Sequence, residues 1–168
     1  MADGQRFFFL NMIQAGVIGG SLKVNHVQWL ELEGWDFQMN VEVDPNVASG
    51  APGKTSASGT FGFQIRHNGP ALFKLSTLGR QIPTAVVFEA ERSGLQGSGS
   101  QTASLVYLQL TFTGASVASR ALSGDDGHKK EHIELHFDQV AIVYTPVVNG
   151  MPAAKVPKTI DIAQNKVT

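Results

Sequence analysis

Five histidines are the first residues that could carry chemistry: His26, His67, His128, His132 and His136. His132, Glu134 and His136 recur at every second position, with Asp138 close behind. Two imidazoles and a carboxylate form a ligand set that zinc accepts. The spacing argues against it, because alternate residues of one strand share a face along a line, about 6–7 Å per step. A metal needs ligands that converge, usually with help from a second element. The set reads first as a solvated polar strand face, then as a polar contact between subunits, and last as a metal site. Gly50-Ala51-Pro52-Gly53-Lys54-Thr55 ends like a phosphate-binding loop, but Ala48 stands where the motif needs its first glycine. Residues 60–65 then read as a strand, where that motif requires a helix. Gly94, Gly97 and Gly99 do not match the dinucleotide fingerprint, and no G-x-S-x-G or H-E-x-x-H occurs. Glu89, Glu91, Asp125 and Asp126 fall in strands or turns, so no acid–base pair can be assigned. Trp29 and Trp35 are the residues that could stack on a sugar. Trp35 belongs to the apolar set of a long strand and reads as core, while the neighbours of Trp29 leave its face open.

The elements that must position these residues are strands. Leu30 and Leu32 alternate with Glu31 and Glu33. Past Gly34 the apolar set is Trp35, Phe37, Met39, Val41 and Val43, against Asp36, Gln38, Asn40, Glu42 and Asp44. This alternation predicts a long half-buried strand, and the parity change at Glu33-Gly34 predicts a bulge. Further alternating sets are Phe61, Phe63 and Ile65; Val86, Phe88 and Ala90; and Val106, Leu108, Leu110 and Phe112. Ile133, Leu135 and Phe137 form another, which slips near Asp138-Gln139 and resumes as Val140, Ile142 and Tyr144. Ile160 and Ile162 mark a last short strand. Residues 6–12 are apolar on both faces, as in a strand covered on both sides. The expected core is therefore Trp35, Phe37, Phe61, Phe63, Leu108, Leu110, Leu135 and Phe137, with Asp36, Gln38 and Asn40 pointing away from it.

One segment breaks the period of two. Between Asn68 and Gly79, Pro70 takes the first helical position, a glycine closes, and Leu72, Leu75 and Leu78 share one stripe. Proline at the entry and glycine at the exit punctuate a helix. One short helix among seven or eight strands predicts a mostly β fold. Its form is a single-domain barrel or sandwich of two antiparallel sheets with the helix on its side. Residues 45–59 have no period and read as an extended loop, functional or disordered. Residues 92–102 read as a hairpin connection. No internal repeat or domain boundary appears, so residues 1–168 form one domain.

Composition narrows the function. The chain has 168 residues and a mass of 18.0 kDa, enough for one core without staples. It has no cysteine, which excludes disulfide and thiol chemistry. Thirteen basic against 14 acidic residues, a net charge of −1, leave no basic footprint for nucleic acid. No apolar run approaches the ~20 residues that span a bilayer, so no membrane insertion is expected. Arg6 followed by Phe7-Phe8-Phe9-Leu10 mimics a signal peptide, but Asn11 and Gln14 interrupt it and no A-x-A site follows. A first strand is the better reading. Charged residues are only 16% of the chain, against a usual share of about 25%. That suits a surface covered by copies of itself.

The residues also resemble a family. Trp29-Leu30-Glu31-Leu32-Glu33-Gly34-Trp35-Asp36-Phe37 is similar to the acidic-aliphatic strand that leads into a tryptophan pair in the haemolysin-coregulated protein (Hcp) family of type VI secretion. Phe37 stands where the second tryptophan is common. Pro70-Ala71-Leu72-Phe73-Lys74-Leu75 resembles the family's helix. Glu131-His132-Ile133-Glu134-Leu135-His136-Phe137-Asp138-Gln139-Val140, followed by Tyr144-Thr145-Pro146, resembles its penultimate strand and Tyr-x-Pro ending, and the Gly124-Asp125-Asp126 turn fits as well. Asn11–Lys23 is more apolar than the hydrophilic turn of the family, and the 45–59 loop and the tail after Pro152 are individual.

The resemblance implies a phage tail-tube-like fold and a structural, non-enzymatic role. Six copies form a homo-hexameric ring, and stacked rings form a tube inside a contractile sheath, tipped by a spike (VgrG-type) protein. The tube waits in the bacterial cytoplasm and is expelled without a cleaved signal peptide, into the medium or a target cell. Effector proteins ride in the ring channel, which then chaperones them. No cofactor is implied. On this reading Asp36, Gln38 and Asn40 line the channel, and Asn46, Val47, Pro52, Lys54 and Thr55 belong to a loop that meets the next ring. The competing readings are a monomeric carbohydrate- or ligand-binding β-sandwich that uses Trp29 and the 45–59 loop, and a hydrolase or metal enzyme built on His132, Glu134 and His136.

Overall fold

The computed structural model describes residues 5–43, 55–66, 70–96, 102–125, 128–149, 151–162, 164 and 166–168. Its strands are β1 (Arg6–Asn11), β2 (Leu30–Glu31), β3 (Gly34–Val43), β4 (Thr55–Arg66), β5 (Val86–Gln96), β6 (Thr102–Thr113) and β7 (Ser116–Asp125). They continue with β8 (His128–His136), β9 (Gln139–Tyr144), β10 (Val147–Val148), β11 (Met151–Pro152), β12 (Val156–Asp161) and β13 (Lys166–Val167). The helix α1 spans Pro70–Leu78. One sheet has the order β13-β12-β9-β6-β5-β1-β2 and the other β3-β4-β8-β7, with β10-β11 as a separate hairpin. Every pairing is antiparallel.

Two breaks in the alternation have a cause other than a bulge. Leu32 N–H donates to Phe8 O in the seven-stranded sheet (2.9 Å), and Glu33 N–H donates to Gln64 O in the four-stranded one (2.8 Å). The chain changes sheets within one peptide, so the bulge expected at Glu33-Gly34 is a crossing. The slip at Asp138-Gln139 is a second crossing, from β8 to β9. A third joins β6 to β7 through Gly114 at φ 66°, where a β-carbon would also run into the Asp138 side chain. A true bulge lies opposite Ala90-Glu91: Ala90 pairs with Leu108 but Glu91 with Val106. Tyr107 is the extra residue and packs on the core, so Val106 leaves the inward set that strict alternation assigned to it.

Between the sheets lies an aromatic core. Phe61, Phe63, Phe88 and Phe112 are fully buried with Leu10, Ile133 and Leu135, and Leu110 and Phe137 are buried beside them. Phe112 touches Phe61 and Phe137 at centroid distances of 4.8 Å. Trp35, Phe37 and Leu108 pack against this core while remaining partly buried. On α1, Leu72 is buried, but Leu78 is 50% exposed, so the apolar stripe ends a turn earlier than its spacing suggests. The helix rests on β7, where the Arg120 guanidinium lies 5.0 Å from the Phe73 ring and bonds the buried Glu131 at 2.5 Å.

The loop expected over 45–59 is shorter. Thr55–Gly59 belong to β4 and pair with Val43–Met39 of β3. Small residues conceal this strand from pattern reading. Gly59 is required there because the Phe137 ring and Ile162 occupy the space of a β-carbon. Likewise β5 runs to Gln96 and β6 starts at Thr102, inside the expected 92–102 connection.

Candidate assembly and channel surface

The four-stranded sheet buries one face in the core and turns a polar face outward. Register places Asp36, Gly62, Glu134 and Ser119 in one row across β3, β4, β8 and β7. The next rows are Gln38, Thr60, His136 and Ser116 on one side, and Gly34, Gln64, His132 and Ala121 on the other. Asp36, Gln38 and Asn40 are exposed together, as the alternation on β3 dictates. Asp36 folds its carboxylate over Gly62. Glu134 accepts a hydrogen bond from Ser119 Oγ at 2.8 Å. The two carboxylates stand two strands apart, about 10 Å between Cα atoms. That is too far to share a proton.

His132, Glu134 and His136 do share this face, and His132 Nε2 lies 3.8 Å from Glu134 Oε1. His136 stays exposed on the far side of Glu134. Among the described residues no group of three or more His, Asp or Glu side chains converges as a metal site would. At one end of the face Glu33 takes Arg66 Nε at 3.0 Å and Lys130 Nζ at 3.4 Å. The hydrogen bond from Arg66, reinforced by Lys130, holds the Glu33 carboxyl below its ordinary range. The sheet ends in the edge strands β3 and β7.

The seven-stranded sheet is different, because residues 17–29 lie on its outer face. His26 is buried and stacks on Phe9 at 4.2 Å. Its Nε2 bonds Glu89 Oε2 at 2.6 Å, and its Nδ1 lies 3.7 Å from Glu91 Oε1. Lys23 pairs with Glu91, Ser104 Oγ donates to Glu91 at 2.9 Å, and Gln109 Nε2 donates to Glu89 at 2.6 Å. Burial pushes the Lys23 ammonium below its ordinary pKa, and Glu31 opposes that shift. Sequence reasoning missed this cluster. Its one local signal is that Glu89 and Glu91 alternate with Phe88 and Ala90, so both carboxylates face outward. Their partners come from a segment more than sixty residues away. These bonds pin residues 17–29 to the sheet, and His26 Nδ1 is buried without a hydrogen-bond partner of its own. Trp29 leans edge-on to His26 at 4.7 Å. Of the residues expected in a ring-stacking loop, Asn46, Val47, Pro52 and Lys54 lie outside the described residues, and Thr55 opens β4.

The described residues thus form a two-sheet sandwich with a broad polar face and sheet edges at its rim. The family model for the type VI secretion system effector Hcp matches residues 9–144. The chain belongs to the Hcp family, the secreted tube proteins of type VI secretion, which are structural and not enzymatic. Solved structures share the fold. Hcp1 from Salmonella typhimurium superposes with a TM-score of 0.70 at 24% identity, over 97% of this chain and 99% of that one. A type VI secretion system effector from Yersinia pestis gives 0.60 at 22% identity, over 94% of this chain and 100% of its own. Hcp1 from the E. coli EAEC 042 pathovar gives 0.65 at 16% identity, over 95% and 99%. Sequence comparison with curated proteins finds no match.

Proposed function

We propose that this chain is the ring subunit of a type VI secretion tube, with its four-stranded sheet facing the channel. The observation that carries the reading is the contrast between the two outer faces. The β3-β4-β8-β7 face is polar and bears Asp36, Gln38 and Asn40. The face of the other sheet carries the pinned 17–29 segment over Phe9. A sheet that ends in edge strands is a template for further pairing, and pairing around a cyclic axis closes a ring. Six copies would set their polar faces inward around a channel. A lining of mixed amides, hydroxyls, carboxylates and imidazoles suits passage of varied effector proteins without trapping any one of them.

Rings then stack through the loop that holds Asn46, Val47, Pro52 and Lys54, ending where Thr55 enters β4. The tube forms in the bacterial cytoplasm inside a contractile sheath, carries a VgrG-type spike, and leaves the cell when the sheath contracts. Light scattering of the purified protein should give about six times the 18.0 kDa chain mass, and negative-stain microscopy should show rings. A monomer that binds polysaccharide would replace this reading with the ligand-binding one. Replacing residues 45–54 with a short Gly-Ser turn should keep the ring and abolish tubes and export. A monomeric product would place that loop within the ring instead.

A further inference from the structure

Residues 21–26 invert the usual burial of polar and apolar side chains. Ser21 and His26 are each 1% exposed, while Leu22 and Val24 are 89% and 88% exposed. Lys23, between them, turns its ammonium inward onto Glu91 and over the rings of Phe7 and Phe9, 4.7 and 5.2 Å from their centroids. The tip is also held. His26 N–H donates to Lys23 O and Gln28 N–H to Ser21 O, both at 2.8 Å, and His26 stacks on Phe9. A lone subunit gains nothing from a fixed aliphatic tip in water.

Further exposed aliphatic side chains lie on the β10-β11 hairpin and on β12 of the seven-stranded sheet. Val148, Met151 and Val156 are 57%, 67% and 48% exposed. Val156 is on β12, next to the edge strand β13, whereas the tip lies over β1, next to the opposite edge strand β2. Val156 lies within one row of the tip's anchor. The tip is anchored on the row of Phe7, Glu91 and Val106. Val156 pairs with Tyr144, and the adjoining Thr145 N–H donates to Tyr107 O at 2.9 Å.

The geometry points to a head-to-tail contact between copies, in which Leu22 and Val24 of one subunit pack on Val148, Met151 and Val156 of the next around the ring. This rests on the ring reading above and names the surfaces that close it. The areas match: at about 100 Å² per aliphatic side chain, the tip and the half-exposed triad each offer about 200 Å². Together that is about a quarter of the roughly 1,200–2,000 Å² that a specific interface buries. The contact is thus an apolar centre, and the edges of the four-stranded sheet add the remainder. Charge agrees as well, with exposed Glu31 beside the tip and exposed Lys155 and Lys158 beside the triad. Two different surfaces, with Val156 within one row of the tip's anchor, repeat by rotation with little rise, which closes a ring rather than growing a filament.

The natural chain has no cysteine, so an engineered pair reports only itself. Val24→Cys combined with Met151→Cys, or with Val156→Cys, should give on mild oxidation an SDS-resistant ladder up to the hexamer. Each single variant should stop at dimers. Leu22→Ser/Val24→Ser should raise the concentration for half-assembly at least tenfold and leave the monomer's circular dichroism and melting unchanged. If both cysteine pairs give no ladder and the serine variant still forms rings of hexamer mass, the ring stands and this contact is wrong. If the serine variant keeps rings but loses tubes, the tip is a stacking contact and the assignment is also wrong. A monomeric wild type, together with no ladder from either cysteine pair, overturns both this contact and the ring reading.

Discussion

Replacing Phe137 with alanine removes the side chain that joins the two sheets at a crossing. The ring is 5% exposed, stacks on Phe37 at 5.9 Å, meets Phe112 at 4.8 Å and covers Gly59. Truncating a buried phenylalanine costs about 3–5 kcal/mol through lost transfer energy and the cavity left behind. Two aromatic contacts, each worth about 0.5–1.5 kcal/mol beyond buried area, place the value near the middle or above, at about 4 kcal/mol. An unfolding entropy of about 2.1 cal/mol/K per residue gives roughly 350 cal/mol/K for this length, so the melting temperature should fall by about 11 °C. Calorimetry at fixed protein concentration and neutral pH measures this, with fixed concentration because assembly raises apparent stability by mass action. Phe73→Ala is the control: its ring is 56% exposed, and truncation should cost about 1 kcal/mol or less. A fall of less than about 3 °C for Phe137→Ala would show that the crossing relaxes freely around the gap and that the ring does not tie the sheets together.

Arg120→Ala should cost about 3–5 kcal/mol, because Glu131 would remain buried without its guanidinium. In urea denaturation the double replacement Arg120→Met/Glu131→Leu should recover most of the loss, and equal losses in the single and double variants would rule the ion pair out as the cause. Glu33 has a lowered pKa in the fold, so its contribution is complete above the ordinary value of 4.5 and fades as the pH falls through the lowered one. The difference in melting temperature between wild type and Glu33→Gln should therefore be present at neutral pH and close on acidification, and a difference that persists at pH 2 contradicts the assigned cause. Asp36→Arg should leave the mass by light scattering unchanged and alter retention of co-purified effector proteins. Loss of the ring would instead place Asp36 in a contact between subunits.

The local pattern carried the strands, and through them the polar face. Alternation from Trp35 to Val43 places Asp36, Gln38 and Asn40 on the side away from the core whatever the strand pairs with, because side-chain direction repeats every two residues. Pro70 and Gly79 bracket α1 for an equally local reason, a fixed φ at its entry and a left-handed residue at its exit. Composition excluded thiol chemistry and a basic nucleic-acid face without any fold.

What the sequence left open depended on partners far along the chain. A parity change at Glu33-Gly34 looks the same for a bulge and for a crossing. The choice rests on whether Glu33 N–H finds a carbonyl in its own sheet or that of Gln64 in the other. Thr55–Gly59 carry no period, and their strand exists because β3 supplies the ladder and Phe137 covers Gly59. The burial of His26 between Glu89 and Glu91, and with it the exposure of Leu22 and Val24, is a tertiary outcome. A carboxylate pair more than sixty residues away turned the polar side chains inward. The short spans between them left the aliphatic ones in water.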